Sequence, residues 1–94
     1  MCAWVSNGAP KQNTNVTVYG RLYVWGVAIS NATMTTVWHY KTTDPIETCT
    51  TGSDGIGRCT RNIGRAAVGY EVVVDVSIES SGRQYESATS FEPQ

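Results

Sequence analysis

The chain has 94 residues, the length of one domain, and its 7 Lys and Arg against 8 Asp and Glu give a formal net charge of -1. This balance removes the electrostatic attraction on which nucleic-acid binding depends, so we expect no nucleic-acid partner. The continuous apolar runs are much shorter than the ~20 residues of a membrane-spanning helix, so we expect no membrane insertion.

Residues 1–14 contain Pro10 and a polar run, and we interpret them as a lead-in segment before a domain at residues 15–94. A short strand is expected near residues 3–6. Cys2 lies in this segment and leaves three interpretations open: a free thiol, a partner for a cysteine elsewhere in a longer chain, or a site of lipid attachment.

The first clear strand is predicted over residues 16–24, where apolar residues alternate with period two. Its even positions form an aliphatic face. The odd positions continue into the next turn as a row that we name the aromatic stripe: Tyr19, Arg21, Tyr23 and Trp25. Such rings can stack on sugars or anchor a protein partner. They can equally pack on neighbouring strands or on an adjoining domain.

The middle of the chain continues this alternation. Trp25-Gly26 predicts a tight turn into residues 27–29, and Asn31 marks the next break. A strand over residues 33–41 follows, with Trp38 on the side that faces the core and His39 on the outer side. Because His39 is the only imidazole, we expect it to have a surface role rather than to serve a catalytic triad.

Cys49 and Cys59 flank a Ser-Asp-Gly turn between two Thr-rich stretches, a pattern typical of a hairpin. With the turn centred near Asp54, the cysteines face each other across the hairpin at a distance that a disulfide can span. The alternative is two buried free thiols in a cytosolic protein. A metal site is not expected, since one His and three scattered Cys lack ligand spacing. A lasting disulfide indicates a secreted or cell-surface protein.

The last part of the chain predicts two more strands. Residues 70–79 alternate most clearly, and we expect Tyr70 to lie in the core with Trp38. A turn at residues 80–83 leads to a return strand over residues 84–91. About seven short strands joined by turns, with no helical repeat, predict an all-β fold of two packed antiparallel sheets.

Three stretches carry a resemblance to a known family: residues 18–34 (VYGRLYVWGVAISNATM), 52–57 (GSDGIG) and 69–74 (GYEVVV). They resemble the bacterial immunoglobulin-like domains of secreted and surface proteins. They are similar also to carboxypeptidase-regulatory-like and collagen-adhesin type B modules. The resemblance covers roughly residues 16–91 and implies an immunoglobulin-like β-sandwich with an adhesive or structural role. Trp25-Gly26 departs from the usual turn pair, and Asn31 stands where glycine is common.

No arrangement of residues predicts catalysis, since the carboxylates are spread through loops and outward strand positions. We therefore expect no enzyme, no catalytic residues, no cofactor and no metal. The predicted function is a noncatalytic immunoglobulin-like module that is structural or adhesive. Its expected partners are neighbouring domains of a longer chain, or a protein or glycan ligand. The alternative function is carbohydrate or protein binding through the aromatic stripe.

Overall fold

The computed structural model describes residues 1–94 and contains nine strands and no helix, which confirms the predicted all-β class. The strands are β1 (Cys2–Val5), β2 (Asn15–Arg21), β3 (Tyr23–Val24), β4 (Val27–Ala28), β5 (Thr33–His39), β6 (Ile46–Thr50), β7 (Ile56–Asn62), β8 (Val72–Ser80) and β9 (Arg83–Phe91). No helix with the length and apolar character needed to cross a membrane occurs in the chain.

The strand count exceeds the predicted seven for two reasons. The short strand expected in the lead-in segment forms β1, which pairs with β2. The predicted strand over residues 16–24 is divided at Leu22, where the backbone changes partner. The Leu22 N–H donates to the Gly55 carbonyl, and the Leu22 carbonyl accepts from the Ile29 N–H. Beyond this point the chain pairs with β4 instead of β7.

The strands form a β-sandwich. One sheet has the order β1-β2-β7 and the other has the order β6-β5-β8-β9, and neighbouring strands within each sheet are antiparallel. The short hairpin β3–β4 extends from the end of β2. Alternate residues of β2, β5 and β8 are buried, as expected of strands that present one face to a core and the other to solvent.

Between the sheets lies a core of aliphatic residues around Trp38, whose position in the core is confirmed. Trp38 is fully buried and meets Phe91 edge to face, with ring centroids 5.8 Å apart. Its indole Nε1 donates to Thr36 Oγ1 at 2.8 Å, so the buried polar group is satisfied. The core position predicted for Tyr70 is wrong. Tyr70 is 39% exposed because it lies in a turn before β8 begins.

The disulfide between Cys49 and Cys59 is confirmed, with Cα atoms 5.6 Å apart. Its expected setting across a hairpin is wrong. Cys49 lies in β6 of the four-stranded sheet, and Cys59 lies in β7 of the three-stranded sheet. Residues 51–55 lead the chain from one sheet to the other, and Thr51 bonds to Ile29 and Ala32 rather than to β7. The disulfide therefore joins the two sheets.

Beside the disulfide, the sheets approach closely at Met34. Gly20 and Gly57 are paired in register between β2 and β7, while Met34 is paired with Cys49 between β5 and β6. A Cβ atom built on Gly57 would lie 2.5 Å from Met34 Sδ, and one built on Gly20 would lie 2.7 Å from the same sulfur. The fully buried Met34 side chain thus occupies space that only glycine leaves free.

We predict that Gly57→Ala lowers the free energy of unfolding by about 1–3 kcal/mol, because the added methyl overpacks the core against Met34. Urea denaturation measures this change. The control is Gly8→Ala, at a position where an added Cβ meets nothing within 4 Å, and it should change the stability by less than about 0.5 kcal/mol. Equal stability of the two variants would contradict the close approach of the sheets at this point.

We also predict that the double variant Cys49→Ala, Cys59→Ala loses about 2–3 kcal/mol of stability, because the short loop closed by the disulfide no longer restricts the unfolded chain. The measurement is the denaturation midpoint under non-reducing conditions. Cys2→Ala is the matched control, since Cys2 is exposed and free, and its midpoint should not move. An unchanged midpoint in the double variant would refute a stabilising role for the bond.

Candidate functional site

The turn between β3 and β4 holds a tryptophan in a conformation that tryptophan rarely adopts. Trp25 and Gly26 are its two central residues, with φ angles of 54° and 76°. Two-residue hairpin turns with positive φ at both positions strongly favour Asn-Gly or Asp-Gly. For a bulky L-residue, the left-handed region costs about 1–2 kcal/mol. The Trp25 side chain is 98% exposed, so packing within the chain does not offset this cost.

Tyr19, the first residue of the aromatic stripe, lies apart from the turn on the outer face of the three-stranded sheet. Its ring stacks on Trp4 of β1, with centroids 5.3 Å apart and planes within 14°. Trp4 and Tyr19 are directly paired in register. Trp4 was not predicted as a candidate, because its place beside Tyr19 depends on the pairing of β1 with β2. Tyr19 therefore belongs to a stacked pair that is partly covered.

The outer part of the stripe continues to the turn and forms what we name the hairpin patch: Arg21, Tyr23 and Trp25. The Arg21 guanidinium lies 4.2 Å from the centroid of the Tyr23 ring, a cation–π contact that orients both side chains. Tyr23 remains 43% exposed. The stripe is thus two units, a stacked pair on the sheet and an exposed patch that ends at the hairpin turn.

His39 lies on the outer face of the four-stranded sheet, as expected, but with neighbours that were not predicted. Its Nδ1 is 2.9 Å from Asp44 Oδ1, and its Nε2 is 2.7 Å from Asp75 Oδ2. These two carboxylates are far apart in the sequence and were expected to be scattered over loops and outward strand positions. The register of β5 and β8 pairs Asp75 with Val37, two residues from His39, and the loop after β5 returns Asp44 to the same imidazole.

The two carboxylates determine the charge of His39. Hydrogen bonding to Asp75, and then to Asp44, raises the imidazole pKa above its ordinary value of 6.5. In the protonated ring both nitrogens donate, one to each carboxylate. When the imidazole is protonated, the cluster links the loop that carries Asp44 to the sheet through two ion pairs.

The chain shows no group of three or more His, Cys, Asp or Glu side chains arranged to hold a metal ion, and the His39 cluster is no exception. No protein family, curated protein or solved structure matches the chain. Its function is therefore inferred from the geometry of its own residues. Of the residues in the predicted site, those of the hairpin patch remain exposed and do not pack in the core.

We predict that Asp75→Asn lowers the pKa of His39 toward 6.5, because the variant loses the stronger of the two charged acceptors. Because the pKa is raised in the folded state, the stabilisation by His39 is complete below about pH 6.5 and disappears as the pH rises through the folded pKa. A pH titration of the single imidazole by NMR measures the shift.

The control for this titration is Glu79→Gln, which removes one negative charge from the same strand near its other end, where Glu79 pairs with Thr33. It should leave the pKa of His39 almost unchanged, because the exposed charge at that distance is screened by salt. Equal pKa values in the Asp75→Asn variant and the wild-type protein would show that the bond between His39 and Asp75 does not persist in solution.

Proposed function

We propose that this chain is a noncatalytic, immunoglobulin-like adhesive module of a secreted or surface-attached protein, and that it binds its partner through the hairpin patch. The strand order supports the immunoglobulin-like architecture. A sheet of order β1-β2-β7 packed on a sheet of order β6-β5-β8-β9 is consistent with such a sandwich, in which β5, β8 and β9 would correspond to the three strands of the second sheet.

A location outside the cytoplasm is supported by the disulfide between Cys49 and Cys59. Disulfides persist in oxidising compartments and are rare in the cytosol. The sandwich is also small, and proteins of this size often depend on a covalent link because they bury a limited fraction of their surface. An adhesive module exposed to the extracellular environment benefits from this stabilisation.

The observation that carries the binding proposal is the conformation and exposure of Trp25. The positive φ of Trp25 destabilises the isolated domain, and with the residue 98% exposed no burial of its ring within the chain offsets this cost. The turn between β8 and β9 has almost the same backbone, with φ of 51° at Ser81 and 76° at Gly82, and there a small polar residue occupies the strained position. Backbone strain of this kind concentrates at functional sites.

The composition of the patch favours a protein partner. Trp, Tyr and Arg are the residue types most enriched among the energetic centres of protein–protein interfaces. Arg21 and Tyr23 are in contact, and the exposed Trp25 lies at the tip of the same hairpin, where it can enter a pocket on a partner. Flat rings beside a guanidinium can also stack on sugars, so glycans belong in the same binding test.

We predict that Trp25→Asn raises the free energy of unfolding by about 1 kcal/mol, because Asn tolerates the left-handed conformation. The same variant should lose binding at least tenfold, as expected when an interface anchor worth more than about 1.4 kcal/mol is removed. Thermal denaturation measures the first change. Retention on arrays of purified extracellular-matrix proteins and of glycans measures the second and separates the two ligand classes.

Ser81→Asn is the matched control, since it introduces the same residue at the corresponding position of a turn with almost the same φ angles. It should keep full retention. A ligand retained equally by wild type, Trp25→Asn and Ser81→Asn would refute binding through the hairpin patch. Retention by no array member would favour a structural spacer role for the module over an adhesive one.

A further inference from the structure

A second candidate site lies far from the hairpin patch, at the other end of the sandwich. The hairpin patch lies next to the end of β2 and the beginning of β7. The second site lies at the opposite end of β7, next to the loop that follows β5. It is a cavity of about 360 Å³ between residues 40–43 and residues 61–67. Its volume falls within the range of small-molecule sites, which begins near 300 Å³.

The lining of this cavity is strongly basic. Lys41, Arg61 and Arg65 line it together with the hydroxyl-bearing Thr42 and Thr43, and no Asp or Glu is among the lining residues. Three of the chain's seven basic residues are thus gathered around one cavity in a protein of net charge -1. A concave surface lined by charges of one sign focuses the electrostatic potential and attracts ligands of the opposite sign.

The nearby carboxylates do not neutralise this charge by hydrogen bonding. Asp44, on the same loop as Lys41, is bonded to His39 on the outer face of the sheet. Glu47 Oε1 lies 3.7 Å from Arg61 Nη1, an ion pair that offsets part of the Arg61 charge but is too long for a hydrogen bond. The guanidinium of Arg61 therefore keeps hydrogen-bonding capacity for another acceptor.

Two lining residues carry buried polar atoms that no group of the chain satisfies. The Tyr40 hydroxyl and Arg61 Nε are both buried, and neither makes a hydrogen bond of standard geometry, although the Arg61 guanidinium lies beside Tyr40 with its Cζ 5.9 Å from the ring centroid. Buried polar atoms without a partner are rare and costly. Burial raises the pKa of Tyr40, so its hydroxyl keeps the proton and can donate it to an acceptor. The cavity thus combines three cations with unused donors.

The backbone holds both walls of the cavity in place. The Tyr40 N–H donates to the Thr43 carbonyl at 2.9 Å and closes the loop that carries Lys41. On the other wall, Gln12 Nε2 donates to the Ala66 carbonyl at 2.9 Å, and the Ala66 N–H donates to the Ile63 carbonyl. A site with fixed walls loses less entropy when a ligand binds.

We infer that this cavity binds a small organic phosphate monoester. A phosphate ester carries a charge of about −1.5 to −2 near neutral pH and has three strong acceptor oxygens. The guanidinium of Arg61 matches the geometry of an oxyanion, and Lys41 and Arg65 supply further charge. The phosphate reaches the buried Tyr40 hydroxyl when the neighbouring Arg61 side chain turns toward the ligand, and the hydroxyl then donates to one phosphate oxygen.

The test is an NMR titration of the ¹⁵N-labelled chain with glucose 6-phosphate to about 10 mM, a range that covers millimolar dissociation constants. Saturable shifts should appear at residues 40–43 and 61–67, with inorganic phosphate shifting the same residues and glucose shifting none. Absence of saturable shifts at these residues would overturn the inference. Binding of succinate as tight as that of glucose 6-phosphate would overturn the assignment to phosphate.

Two variants connect the binding to the side chains. Arg65→Gln should weaken glucose 6-phosphate binding about tenfold, as expected for loss of a charged hydrogen-bond donor. Arg83→Gln removes the same charge from the first residue of β9 and should leave the affinity unchanged. Equal affinities of these two variants would overturn the site.

Tyr40→Phe separates a ligand-binding role from a structural one. The change should weaken binding about tenfold, because the phosphate loses a donor in a buried setting. It should not lower the thermal stability of the free protein, because the hydroxyl it removes has no partner there. Lowered stability with unchanged affinity would overturn the role of Tyr40. Trp25→Asn should retain full affinity for glucose 6-phosphate, which makes the outcome independent of the hairpin patch.

Discussion

The rest of the structure depends on the close approach of the two sheets around Met34. Its side chain fits only because Gly20 and Gly57 face it without Cβ atoms, and the disulfide beside it fixes the separation of the sheets. In so small a core, one methyl group is a large perturbation, because interiors are packed to the density of organic crystals. The covalent bond and the glycine pair therefore set the distance between the two sheets at this point.

This constraint also places the candidate site. The Leu22 N–H donates to the carbonyl of Gly55, which precedes β7. At Leu22 the chain leaves the three-stranded sheet and enters the hairpin β3–β4. The chain then turns toward β5 at Asn31, which has a φ of 58°. Asn tolerates this positive φ better than most residues. The hairpin that carries Trp25 is thus anchored at both ends by the packed sandwich, which holds its exposed tip in a defined orientation.

The elements that could be predicted from the sequence are those that depend on local pattern. Alternation located the long strands and the buried side of Trp38, and turn chemistry located Trp25-Gly26. Relations between distant segments were missed, because a period-two pattern shows which face is buried but not which strand lies beside it. Hence the stacking of Trp4 on Tyr19 was not predicted. Similarly, the sequence around Cys49 and Cys59 is typical of a hairpin, but the chain crosses there from one sheet to the other.

The two ends of the sandwich share an energetic property. Each retains a feature that destabilises the free domain: a strained and exposed Trp25 at one end, and the unpartnered hydroxyl of Tyr40 at the other. Domains are stable by only about 5–15 kcal/mol, so costs of one to three kcal/mol are significant for a sandwich of this size. A binding partner that covers Trp25 or bonds to Tyr40 gains the interaction that the free protein lacks. The packed core lies between the two ends, and its stability offsets both costs.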